Sequence, residues 1–310
     1  DAFIAWPGAA TDGRAYVAKA LEQGAAAVLV EAEGLDAFAL NSDKVAALKG
    51  LKAATGLIAD QWFAHPSGEI EVLAVTGTNG KTTTAWWLAH ALSKVKLNAR
   101  AGCALVGTLG VGVPPALEST GMTTPDPVLL QRVFRSYADQ GLAACAIEAS
   151  SIGIVEHRLD GMKIRVALFT NFTQDHLDYH GDMPAYEAAK RKLFEWEGLR
   201  HAVVNLDDPM GVRLLPLVQA RQVPLIGYAL EAEIDPLAAD VPTLRASGIR
   251  SSNAGTVFQV DSPFGSGQVK TQLVGRFNVS NVLGIMGVLL ARGLDWDAVV
   301  AAAGALAAAP

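Results

Sequence analysis

The stretch Val75 to Thr84, VTGTNGKTTT, constrains this chain more than any other. An apolar run, Ile70 to Val75, leads into Thr76, and the small-residue turn Gly77-Thr78-Asn79-Gly80 follows. Lys81, Thr82 and Thr83 then open an apolar-periodic stretch, Ala85 to Leu92. This order predicts a strand, a glycine loop and a helix. Such a loop aims backbone N–H groups at a phosphate and seats it on a helix N-terminus. Gly77 and Gly80 carry no side chain to block the approach, Lys81 offers a mobile positive charge, and the Thr82 hydroxyl can reach Mg²⁺. Val75 stands where the full GxxxxGK[ST] pattern has its first glycine. The plainer alternative is a helix-capping turn with a surface lysine, against which the strand–helix context of the GKT core argues.

Around this loop the pattern alternates. Ala2 to Trp6 and Ala26 to Val30 read as strands and Gly13 to Gln23 as a helix closed by Gly24, which makes a small α/β unit. Asp43 to Phe63 has helical periodicity, and His65-Pro66-Ser67-Gly68 reads as a linker, so a domain boundary is expected at residue 68. Beyond it, Ala144 to Ile147, Val166 to Phe169 and Ala202 to Val204 read as buried strands. Pro127 to Tyr137 and Asp182 to Phe194 read as helices, the latter with Pro184 in its first turn. The alternation predicts an α/β fold: a mostly parallel sheet flanked by helices, with ligands beyond the carboxyl ends of the strands. Glu148, Asn171 and Asn205 all fall at such ends, as does the glycine loop. Short alternating runs between Thr243 and Val274 predict a small antiparallel extension, and Phe277 to Leu290 and Trp296 to Leu306 read as helices.

The bulk properties remove some classes of function. The 310 residues carry a net charge of -6, so no basic face for nucleic acid is expected. No apolar run reaches membrane-spanning length, and Arg292 cuts off the longest, Val282 to Ala291. Cys103 and Cys145 sit among small or apolar neighbours and read as buried, reduced thiols of a cytoplasmic protein.

Several polar groups could carry chemistry. Glu148, at a strand end, could bind Mg²⁺ or merely cap the next turn. Arg158 could clamp an anionic group or form a surface ion pair. The segment Thr170 to Gly181, TNFTQDHLDYHG, is unusually polar and aromatic for a connection, and its His176 could serve a metal or a phosphate or lie exposed. Spacing alone pairs Lys190 with Glu187 as a solvated helix face, and lets Asn278 or Ser280 cap the helix that follows Gly275.

Taken together and in order, GTNGKTTT, TTPDP (Thr123 to Pro127), EASS (Glu148 to Ser151), EHR (Glu156 to Arg158), TNFTQDHLDYHG, YEAAK (Tyr186 to Lys190), NLDD (Asn205 to Asp208) and GRFNVSN (Gly275 to Asn281) resemble the Mur ligases. These are ATP-dependent amide-bond-forming enzymes of peptidoglycan precursor synthesis. DHLDYHG followed by YEAAK is similar to the MurE type, which adds diaminopimelate or lysine to UDP-N-acetylmuramoyl-L-alanyl-D-glutamate. The resemblance implies that Gly77, Thr78, Asn79, Gly80, Lys81, Thr82 and Thr83 hold ATP phosphates, with Asn205 and Asn278 toward the adenosine. It implies Thr82 and Glu148 on one Mg²⁺, and His176 and Lys190 at a second. Lys190 matches a lysine converted by CO₂ into a carbamate. Thr123, Thr124, Ser150 and Arg158 match contacts to the UDP-muramoyl dipeptide. The reaction implied is acyl phosphate formation followed by aminolysis.

On the same basis residues 1–68 resemble part of a UDP-binding domain and residues 69–310 the central ATP-binding domain, while the C-terminal amino-acid-binding domain is expected to be absent. The chain is then expected to fold as a monomer without completing ligation. Ile152 and Glu156 depart from the type, which often has His and Gln there. The competing readings are a non-catalytic nucleotide-binding fragment, a kinase or nucleotide switch, and a ligase like the folylpolyglutamate synthases, which share the central fold.

Overall fold

The computed structural model describes residues 1–8, 11–93, 95–97, 99–230, 233 and 235–310, with residue 96 described by its backbone. Its organising strand is Glu71–Thr76, buried along its whole length. Leu73 and Val75 point into one core with Leu88, Leu92, Leu105, Val282, Ile285 and Leu289. Val72 and Ala74 point into another with Leu130, Phe134, Ile147, Val204 and Leu214. Alternate side chains of a strand leave on opposite faces, so a strand covered on both sides reads as an unbroken apolar run.

Glu71–Thr76 lies inside an eleven-stranded sheet. Across that sheet the strands run Gly265–Thr271, Gly255–Ser262, Thr243–Ser252, Leu225–Leu230, His201–Asn205, Ile164–Phe169, Glu71–Thr76, Ala144–Glu148, Cys103–Gly107, Gly110–Val113 and Ala116–Glu118. Every pairing from Thr243–Ser252 to Cys103–Gly107 is parallel, and both edges are antiparallel. The expected hairpin extension is present as the last three C-terminal strands. The strands Leu225–Leu230 and Gly110–Val113 and the helix Pro209–Ala220 carried no distinctive pattern in the sequence.

Helices Lys81–Leu92 and Arg276–Ala291 cover one face, and Pro127–Asp139 and Pro209–Ala220 the other. Their starts follow local chemistry: Asp126, Asp182 and Asp208 each accept backbone N–H bonds at a helix N-terminus that carries a proline in its first turn. Cys103 and Cys145 are both buried free thiols.

The N-terminal unit is a separate parallel sheet of Ala2–Ala5, Ala27–Glu31 and Val45–Leu48, with its own core of Ala5, Val17, Val28 and Val30. Here the expected helix over Asp43 to Phe63 is corrected. Val45–Leu48 is a strand and the helix is Leu51–Trp62. Four apolar residues suit either state, and the free edge of Ala27–Glu31 decides it. Gly50 then turns left-handed at φ 73, and the Glu31 carboxylate accepts the N–H groups of Gly50 and Leu51 at 3.1 and 2.8 Å. Leu51–Trp62 leaves this sheet to pack on the central body, where a Cβ at Gly56 would lie 2.2 Å from the Asp160 carbonyl oxygen.

Phe134 is fully buried in the second core. Phe134→Ala should destabilise the protein by about 3–5 kcal/mol, from lost burial and the cavity left behind, as read by urea denaturation.

Candidate active site

Three adjacent strands deliver the site. Glu71–Thr76 feeds the glycine loop, Ile164–Phe169 feeds Thr170 to Thr173, and Ala144–Glu148 ends on Glu148. The loop is clamped by its neighbour. Thr78 N–H donates to Asn171 O at 2.8 Å, and Asn79 N–H donates to Asn171 Oδ1 at 2.9 Å. Thr170 Oγ1 donates to Asn79 O at 2.7 Å. This approach needs a glycine: a Cβ on Gly77, at φ 148, would lie 1.9 Å from Thr170 Oγ1. A Cβ on Gly80 would meet the Asn281 side chain at 2.8 Å. Lys81–Leu92 starts directly behind, so its first amides are free to face an anion.

Two lysines converge on one carbonyl. Lys81 Nζ donates to Gly77 O at 2.9 Å and to Thr78 O at 2.8 Å, and Lys190 Nζ donates to Gly77 O at 2.6 Å. Lys190 is 1 % exposed and lies 4.4 Å from the centre of the Tyr186 ring, one helical turn away. Burial and then the charge of Lys81 push its pKa down to about 6. Burial lowers Lys81 too, against the opposing pull of Glu148 and Asp175. The pairing of Lys190 with Glu187 is thereby corrected. Glu187 binds Arg213 at 2.6 Å, and Lys190 lies on the inward face of its helix.

Glu148 is the carboxylate of the site. Oε2 accepts from Thr82 Oγ1 at 2.9 Å, and Oε1 accepts from Thr108 N–H at 2.7 Å. Gly107 makes room, since a Cβ there would sit 2.2 Å from Oε1. Burial raises the Glu148 pKa in spite of these bonds. Among the described residues no group of three His, Cys, Asp or Glu side chains forms a metal cage. One buried carboxylate beside one hydroxyl is the protein share that Mg²⁺ takes when phosphate oxygens and water complete its shell.

A second cluster sits beside Glu148. Thr124 Oγ1 donates to Glu148 O at 2.8 Å and lies 2.9 Å from Ser150 Oγ, and Thr123 Oγ1 lies 3.0 Å from Thr108 Oγ1. Arg158 donates to Thr124 O at 2.9 Å and to Met122 Sδ at 3.6 Å. Glu156 is held by Lys52 at 2.6 Å and accepts the Tyr179 hydroxyl. Burial would raise its pKa, but these partners outweigh that and hold it low. Lys52 thus offsets the charge of Glu156.

The remaining residues divide. His176 is exposed, in a left-handed turn, with its ring edge-on to Tyr186 at 6.1 Å and Asp175 at 3.4 Å. Thr83 is half-buried. Asn205 braces the sheet end, donating to Thr170 O at 2.7 Å and accepting from Asp207 N–H at 3.0 Å. Asn278 turns back to Val274 O at 2.9 Å. Two neighbours of the loop were not singled out from the sequence, Asn281 over Gly80 and Tyr186 against Thr78 and Lys190. The i, i+4 spacing of Tyr186 and Lys190 within YEAAK was the available signal for the second.

A glycine loop at a helix N-terminus, an adjacent strand-end carboxylate and a buried lysine thus meet at the carboxyl end of a mostly parallel α/β sheet. The Mur ligase middle domain family matches residues 75–289, and the chain belongs to that family. It is 58% identical over 297 residues to a UDP-N-acetylmuramoyl-L-alanyl-D-glutamate–2,6-diaminopimelate ligase of Acidovorax sp. (strain JS42), covering 95% of this chain and 58% of that protein. The ligase of the same name from Janthinobacterium sp. (strain Marseille) is 52% identical, covering 100% of this chain and 61% of its own. A solved structure of a protein with that name superposes with a TM-score of 0.85 at 31% identity, over 100% of this chain and 61% of the other. The chain therefore spans about three-fifths of the length of these relatives.

The buried amine has a pH signature. Its folded pKa of about 6 lies below the ordinary 10.5, so the unfolded chain binds more protons between those values and stability rises with pH across that window. Lys190→Met removes the term. Its stability relative to the unmodified protein should therefore grow as pH falls from about 10 to about 6 and level off below, as read by urea denaturation without CO₂ or nucleotide.

Proposed function

We propose that this chain supplies the ATP- and UDP-muramoyl-dipeptide-binding part of a ligase that adds diaminopimelate to UDP-N-acetylmuramoyl-L-alanyl-D-glutamate. The observation that carries the reading is the convergence of Lys81 and Lys190 on the Gly77 carbonyl, next to Thr82 and Glu148. The names of the relatives favour diaminopimelate over lysine, and ligation over a kinase or switch. Among the described residues no helix is long and apolar enough to cross a membrane.

In this reading the amides of Gly77 to Thr83 cradle the ATP phosphates, and Lys81 swings from the loop carbonyls to the terminal phosphate. Asn205 acts on the adenosine end through the strand end it braces, and Asn278 from the first turn of Arg276–Ala291. Thr82 and Glu148 would hold one Mg²⁺, which the buried, hydroxyl-flanked carboxylate fits. His176 and Lys190 would hold a second. Bound Mg²⁺ supplies neutralisation of the charge that crowds between carboxylate and phosphate. Arg158, Thr123, Thr124 and Ser150 grip the muramoyl dipeptide, with its D-glutamate carboxylate turned to the γ-phosphate. The carboxylate attacks phosphorus and ADP leaves. The amine of the third residue then attacks the acyl carbon, phosphate leaves, and the nitrogen gives up a proton.

Lys190 fits carbamate formation on chemical grounds. Only a neutral amine attacks CO₂, and burial keeps this one largely neutral at pH 7. The N–C bond forms, a proton goes to solvent, and a neutral amine becomes an anion able to ligate metal.

Lys81→Ala should lower Mg·ATP affinity at least tenfold in calorimetry, because a counter-charge facing the phosphates is lost. Unchanged affinity would remove the loop from the reading. With ¹³C-bicarbonate, the protein should show a carbamate carbon resonance that Lys190→Ala abolishes. In the full-length ligase that variant should lose turnover, and a short carboxylic acid should restore part of it. A carbamate signal that survives Lys190→Ala would refute the assignment.

A further inference from the structure

The opposite end of the sheet holds a second concentration of positive charge. A polar cavity of about 290 Å³ lies at the N-terminal ends of the strands, lined by Glu69, Glu71, Arg100, Arg165 and Arg200 among others. Its two carboxylates are already engaged. Glu69 receives Arg135 at 2.6 Å and Arg100 at 3.6 Å, and Glu71 receives Arg292 at 2.9 Å. Among the described residues, neither Arg165 nor Arg200 has a carboxylate within ion-pair distance.

Two neighbouring groups register the excess. Burial and then Arg200, with a smaller push from Arg292, lower the Arg165 pKa against the pull of Glu71. Burial, Arg292 and Arg200 likewise lower His201, whose buried Nδ1 has no hydrogen-bond partner. This stands out in a chain of net charge -6. Like charges held together in a concave, partly desolvated wall cost stability and focus field on a counter-ion. Arginine forks match the oxygens of phosphate or carboxylate. Among the described residues the lining has no aromatic ring on which a base could stack, which argues against a nucleotide.

We propose that this cavity binds a small polyvalent oxyanion of phosphate type, held by Arg165 and Arg200 with Arg100 at its edge. The site is separate from the phosphate loop. Glu71 opens and Thr76 closes the same strand, which puts the two roughly 17–20 Å apart. A bound anion would supply the missing counter-charge and stabilise the fold by an amount that grows with the logarithm of its concentration above Kd.

The test uses the Lys81→Ala protein, to weaken the loop as a competing site, in Mg²⁺-free buffer at constant ionic strength. Pyrophosphate and citrate are titrated separately by calorimetry and followed by thermal melting. Pyrophosphate should bind and raise the melting temperature. Adding Arg200→Glu, at an exposed position, should cut affinity at least tenfold and abolish the melting shift. Arg165→Gln with Arg200→Gln should do the same, and circular dichroism checks the fold of each. In the protein that retains Lys81, Arg200→Glu should leave Mg·ATP affinity unchanged. Absence of pyrophosphate binding, or binding untouched by Arg200→Glu, would overturn the proposal. Citrate binding as tightly as pyrophosphate would overturn the assignment to phosphate-type anions.

Discussion

The contact between the glycine loop and the end of the neighbouring strand is the constraint on which the site depends. Because Gly77 has no Cβ, Thr170 can stand against it, and the loop is tied at Thr78 and Asn79 to residue 171. That clamp turns the Gly77 carbonyl toward Lys81 and Lys190. A loop held only by its own turn would not keep two lysine chains on one oxygen. The fully buried strand that precedes it makes the clamp rigid, since a strand packed on both faces cannot slide without exposing one.

Electrostatics follow from the same architecture. A parallel sheet gathers strand ends, and strand ends are where polar side chains can leave the apolar layers. At the carboxyl end the sheet collects Glu148, Lys81 and Lys190, whose pKa values are shifted by burial more than by pairing. At the other end it collects arginines that exceed their carboxylates. Glu156 shows the alternative solution, a charge neutralised by Lys52 from the helix that bridges the N-terminal unit to the central body.

Much of this architecture was legible in the chain. The apolar runs before Thr76, Glu148, Thr170 and Asn205 predicted parallel strands, because burial on both faces leaves no polar alternation to misread. The Asp and Pro signals before helices were equally readable, being local chemistry. Val45 to Leu48 was not. Four residues of weak preference take the state that a neighbouring strand offers, and that neighbour is distant in sequence. Nor was the place of Asn281, which reaches the loop from a helix some two hundred residues away.

By itself the sequence determined the central buried strands and their capped helices, the glycine loop and the set of polar groups available at strand ends, since each rests on local propensity or on the period of burial. Only the tertiary structure decided what those groups became. Lys190 lies one turn from Glu187, yet the helix turns the lysine inward to Gly77 and leaves the glutamate to Arg213. Whether an amine is a solvated cation or a neutral nucleophile depends on desolvation, and desolvation is a property of the packed whole.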